Sequence, residues 1–90
     1  MDAKTAKKNE RRDLERLALN VAKVERIRQY FAAEGDKEMV QAMAKDVRDL
    51  QALAAAVKAG KYRRAAGIAY RVDTAVRDLI PARLYNAINR

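Results

Sequence analysis

Gly35, Gly60, Gly67 and Pro81 are the only glycines and proline in this ninety-residue chain. Most of the rest is Ala, Leu, Glu, Lys, Arg and Gln, the strongest helix formers. Such a chain is driven towards helix almost everywhere, and the spacing of its larger apolar residues shows which faces are buried. Leu14, Leu17, Val21 and Val24 recur at intervals of three and four, lining one helix face. Arg28 then stands where an apolar residue is due, and Ile27 and Phe31 take over the stripe, the drift of a straight helix against a strict heptad. This first helix is expected to begin between Thr5 and Arg11 and to end at Ala33 or Glu34. Its first ten residues carry no apolar stripe, so a frayed or projecting basic arm over residues 1–12 is one reading of this stretch, weighed below against an ordinary helix start.

Gly35 can adopt the left-handed conformation that ends a helix, and Asp36 can cap the next. The second helix reads Val40, Met43, Val47, Leu50, Ala54 and Val57, with Lys58 and Gly60 as its stop signals. So short a connection makes the first two helices an antiparallel hairpin. A third stripe, Tyr62, Ala65, Ala69, Val72, Val76 and Leu79, runs on to Ile80 and Pro81. A short last helix carries Leu84, Tyr85 and Ile88. The expected fold is all-α, a single helical domain over residues 1–90. Its architecture is an antiparallel three-helix bundle (a long helical hairpin plus a third helix) with a short C-terminal fourth helix. Alanine supplies about two fifths of the apolar residues and buries little area, so a monomer of modest stability is expected, which pairing as a homodimer or a partner surface would help. Met39 and Met43 read as gap-filling core.

The chain has no Cys, His, Ser or Trp. It therefore lacks thiolate metal ligands, the usual general base and the usual hydroxyl nucleophile. Asp46 and Asp49 sit among Lys45 and Arg48 on a polar flank, with nothing to complete a catalytic or metal set. The expectation is a protein that is not an enzyme and uses no metal, cofactor or small-molecule substrate. The longest apolar run, Ala52–Val57, is too short to span a bilayer, and Met1-Asp2-Ala3-Lys4 is charged where a signal peptide is apolar. The third stripe is rich in alanine and lacks the large residues that insert into lipid, so no membrane contact is expected. A soluble, cytoplasmic protein follows as the expectation.

Charge is the strongest functional signal. Of the net +8, +5 lies in Lys61–Arg90 and +2 in the first thirteen residues, while Asp36–Gly60 is neutral. Opposite the third stripe stand Arg63, Arg64, Tyr70, Arg71 and Arg77, with Lys58 and Lys61 extending the patch past the turn. Arginine forks grip phosphates at two points, and an exposed tyrosine offers a stacking face. Gly67 on the same face lowers helix propensity, which close approach of a partner backbone would explain; a merely solvated basic face is the plainer account. Lys4, Lys7, Lys8, Arg11 and Arg12 resemble a basic arm, but Asp2, Glu10 and Asp13 dilute them, so an ordinary helix start is expected there. Ala66 to Val76 has some flavour of a helix-turn-helix. It is too short by two or three residues, and its stripe runs through unbroken.

The turn Glu34-Gly35-Asp36-Lys37, with Ala65-Ala66 after Arg64, is similar to one in a family of basic three-helix proteins of the small ribosomal subunit. This chain departs from that family in its first helix, which carries more acid and fewer bases, so the likeness covers architecture and turn alone. The leading expectation is a small binding protein that engages nucleic acid or a ribonucleoprotein through the Arg/Tyr face. The alternative is an interaction module, an adaptor or a phage- or plasmid-type inhibitor, docking on an acidic protein surface. In that case Leu19, Ile68 and Tyr85, which fall off the stripes or at their edge, would be its apolar anchors.

Overall fold

One 31-residue helix, α1 (Ala3–Ala33), sets the length of the molecule. At 1.5 Å per residue it is about 46 Å long, against a longest dimension of 49 Å. Four helices follow it in the computed structural model, which describes residues 3–89: α2 (Lys37–Lys58), α3 (Tyr62–Arg71), α4 (Thr74–Arg77) and α5 (Ala82–Ile88). Met1, Asp2 and Arg90 of the expected domain lie outside the described residues. The fold is an all-α bundle in which α1 and α2 pack along one another and α3 and α5 pack against them.

Both glycine turns form as their chemistry dictates. Gly35 has φ +77° and Gly60 φ +73°. The amide of Asp36 donates to the Phe31 carbonyl and that of Lys61 to the Ala56 carbonyl, closing the ends of α1 and α2. The Asp36 carboxylate accepts from the Met39 amide and caps α2.

The third helix departs from expectation. It does not run on to Ile80; it ends at Arg71, and Val72 (ψ 152°) and Asp73 (ψ 149°) are extended. Val72, Asp73 and Thr74 are three weak helix formers in succession. Asp73 instead starts α4, its carbonyl accepting from the amides of Val76 and Arg77. The break makes no helix-turn-helix, because α4 has only four residues. It turns the chain across α1, where the Asn20 side chain donates to the Leu79 carbonyl at 2.7 Å. Pro81 then opens α5, which lies against both α1 and α3.

One continuous core results. Leu17 of α1, Leu50, Leu53 and Val57 of α2, Ala65, Ile68 and Ala69 of α3, and Val76, Ile80, Leu84 and Ile88 beyond it are all buried together. Ile68, expected as an exposed anchor, is only 4% exposed. The reason is that α3 is held from two sides, by α2 and by α5, so its buried arc is wider than one stripe. Ile27, expected on the first stripe, is instead 45% exposed, and Met39 and Met43 are half-buried outside the continuous core. The elements that would cover them turn away at Val72.

The core assignment makes a stability prediction. Leu50→Ala and Leu84→Ala should each cost about 3 kcal/mol, while Leu19→Ala, at an exposed site, should change stability by less than about 0.5 kcal/mol. Urea unfolding followed by circular dichroism measures all three.

Candidate polyanion-binding face

The exposed arc of α3 carries the side chains singled out by its sequence. Arg63, Arg64, Gly67, Tyr70 and Arg71 are exposed, while Ala65, Ile68 and Ala69 are buried behind them. Lys58, at the end of α2, and Lys61, just before α3, are exposed too. Arg63, Gly67 and Tyr70 follow three-four spacing, so they form one row about 10 Å long, with Arg64 and Arg71 beside it. A Cβ added at Gly67 would meet nothing within 4 Å, so no packing inside the protein requires glycine there.

Arg77 differs from the rest of the set. It lies on α4, beyond the break, and is half-buried. One guanidinium nitrogen donates to the Tyr70 carbonyl at 2.8 Å, and the group lies 5.8 Å from the centre of the Tyr70 ring. Its Nε is buried and unpartnered. Arg77 therefore backs Tyr70 by cation–π attraction, leaving the ring, 80% exposed, free to stack on its other face.

The fold also gathers charges that the sequence reading set aside. Lys4, Lys7, Lys8 and Arg11 line a shallow groove with Lys58 across from them. One acid of the same stretch, Glu10, also lines this groove, while Asp13 lies outside it. The Tyr62 hydroxyl donates to the Glu10 carboxylate, and Arg83 stands 3.7 Å from buried Asp13. The bond to Glu10, with some burial, pushes the Tyr62 hydroxyl above its ordinary pKa. A second cleft brings Arg16 of α1 to Arg77, with Asn20, Thr74 and Asn86 on its walls. The sequence signal that could have found these residues was three-four spacing of the bases themselves: Lys4, Lys7 or Lys8, and Arg11 share one face of α1.

The acidic pair on α2 is split by the fold. Lys45 bonds Asp49 at 2.7 Å, whereas Asp46 is buried with its Oδ1 unpartnered. Burial, then the nearby Asp73, pushes the Asp46 carboxyl above the usual carboxylate range, and Lys45 only partly offsets them. Among the described residues no three His, Cys, Asp or Glu side chains are grouped to hold a metal ion, and no helix is long and apolar enough to cross a membrane. Comparison of the chain with known protein families, curated proteins and solved structures gives no match.

Asp46 sets a pH dependence. Its folded pKa is raised, so its charged form weakens the fold above that pKa, and the cost disappears as protonation proceeds in acid. Asp46→Asn should therefore stabilise the protein at neutral pH, by on the order of 1 kcal/mol. That gain should vanish as the pH falls through the carboxylate range, which thermal melts across pH would show.

Proposed function

We propose that the chain is a nucleic-acid-binding protein that grips a phosphate backbone along a basic belt. The belt runs from the α1 groove (Lys4, Lys7, Lys8, Arg11) through Lys58 and Lys61 to Arg63, Arg64 and Arg71 on α3. The observation that carries the reading is the sorting of charge on α1. Its first turns are almost balanced in sequence, yet Lys4, Lys7, Lys8, Arg11 and Lys58 line one groove with a single acid, Glu10, which accepts from the Tyr62 hydroxyl, while Asp13 is buried outside it. Convergent lysines and arginines along a groove suit a polyanion better than a single carboxylate, because each neutralised phosphate releases counterions. Tyr70, backed by Arg77, suits a base or sugar face at the end of that path. Contacts of this kind position a backbone and carry little sequence information.

The alternative, docking on an acidic protein through apolar anchors, has lost ground. Ile68 is buried, and Tyr85 is half-buried against the core, which leaves Leu19 alone exposed. Charge on the belt would still attract carboxylates, so the two readings part on salt dependence and on the class of ligand.

Fluorescence anisotropy with labelled single-stranded DNA, duplex DNA and structured RNA tests the proposal. With about six phosphate contacts, affinity should fall about a thousandfold between about 50 and 200 mM salt. Lys7→Ala/Arg11→Ala and Arg64→Ala/Arg71→Ala should each weaken binding to every sequence alike. No binding at low salt overturns the reading. Gly67→Ala provides a separate check: it should stabilise the fold by up to about 1 kcal/mol and weaken binding, because the added methyl stands on the face offered to the backbone.

A further inference from the structure

The half of the hairpin that the rest of the chain leaves uncovered forms an arm. On α1, cover ends at Asn20, which holds Leu79; on α2 it ends at Asp46, beside Asp73. The continuous core contains no residue from 22 to 49. Within the arm Val24 and Val47 are buried between the two helices. Around them Ile27 is 45% and Tyr30 61% exposed, and Phe31, Met39, Val40 and Met43 are half-buried. The Tyr30 and Phe31 rings meet edge to face at 5.5 Å. Ile27 and Tyr30 continue, at three-four spacing, the side of α1 that carries Arg16 and Asn20 in the cleft beside α5. Met39 and Ala42 likewise continue the side of α2 that carries Asp46 and Leu53. The arm thus presents an apolar strip as the open continuation of the covered part of the hairpin.

Charge says what covers it. The whole net charge of +8 lies outside residues 21–49, which are neutral as a group. The arm is itself polarised. Its base carries net +1, from Lys23 and Arg26 against Glu25, with Lys45 and Arg48 balancing Asp46 and Asp49, and Arg28, paired with Glu25, adds +1 at mid-length. Its tip carries net −2, from Glu34, Asp36 and Glu38 against Lys37.

We propose that two copies of this chain pair through their arms, side by side and antiparallel, so that each acidic tip lies on the other's basic base. The arrangement is isologous, with Ile27 and Tyr30 near its centre and Met39 towards the tip, and it completes a four-helix bundle from two hairpins. It also keeps the two positively charged bodies apart, which any dimer through the bodies would not. An arm about 22 Å long and two helices wide covers on the order of 600 Å² per copy, near the lower limit for a specific interface. A dimer of micromolar strength is therefore expected.

Sedimentation velocity on the full chain, from low-micromolar to near-millimolar concentration, tests this directly. The mass should rise from 10.2 kDa towards twice that value. Ile27→Glu, at an exposed site, should weaken association at least tenfold while leaving the circular dichroism spectrum unchanged. Glu34→Lys/Glu38→Lys and Lys23→Glu/Arg26→Glu should each remain monomeric alone, and an equimolar mixture of the two should dimerise. A wild-type chain that stays at 10.2 kDa overturns the pairing and assigns the strip to a different protein. So does a dimer untouched by Ile27→Glu, which would place the contact elsewhere.

Discussion

Two extended residues, Val72 and Asp73, govern the shape of this molecule. Had α3 continued, it would have lain along the hairpin towards its tip and carried Val76, Leu79 and Ile80 with it. The break sends them over α1 instead, and α5 returns into the space between α1 and α3. The base of the hairpin gains a four-helix core as a result, and the distal half loses its cover. Core closure and the exposed apolar strip are therefore two consequences of a single backbone event. Ile80, Leu84 and Ile88 are all buried in the core that results.

Helix content, both glycine turns and most of the buried stripes were legible in the sequence, because each rests on local chemistry. Gly35 and Asp36 act through their own backbone and side chain, whatever else the chain does. Partners of α3 were not legible. A three-four stripe reports one buried face, and nothing in it shows that a second neighbour widens the arc until it takes in Ile68. Leu53, three residues after Leu50, was missed on α2 for the same reason. The break at Val72 was missed because the stripe stays in phase across it: Val72 and Val76 are both buried, though they belong to different elements.

The candidate site was legible in one half. Exposure of the α3 arginines and Tyr70 follows from helical spacing alone. Tyr70 and Arg77, seven residues apart, meet across the kink rather than along a helix, which helical spacing alone does not show. On α1 a count of charges hid the more useful fact. Glu10 lines the groove of the bases and is engaged there by the Tyr62 hydroxyl, whereas Asp13 is buried away from them beside Arg83, which a charge count does not show.

That last contact has a kinetic meaning. Hairpin contacts between α1 and α2 are local and quick to form, whereas Arg83 can reach Asp13 only after nearly the whole chain has been brought together. Until α3 and α5 dock, Glu10 lacks its Tyr62 partner and Asp13 its Arg83 partner. The pairing of charges at the start of α1 is therefore a late product of folding, although α1 is the first helix of the chain.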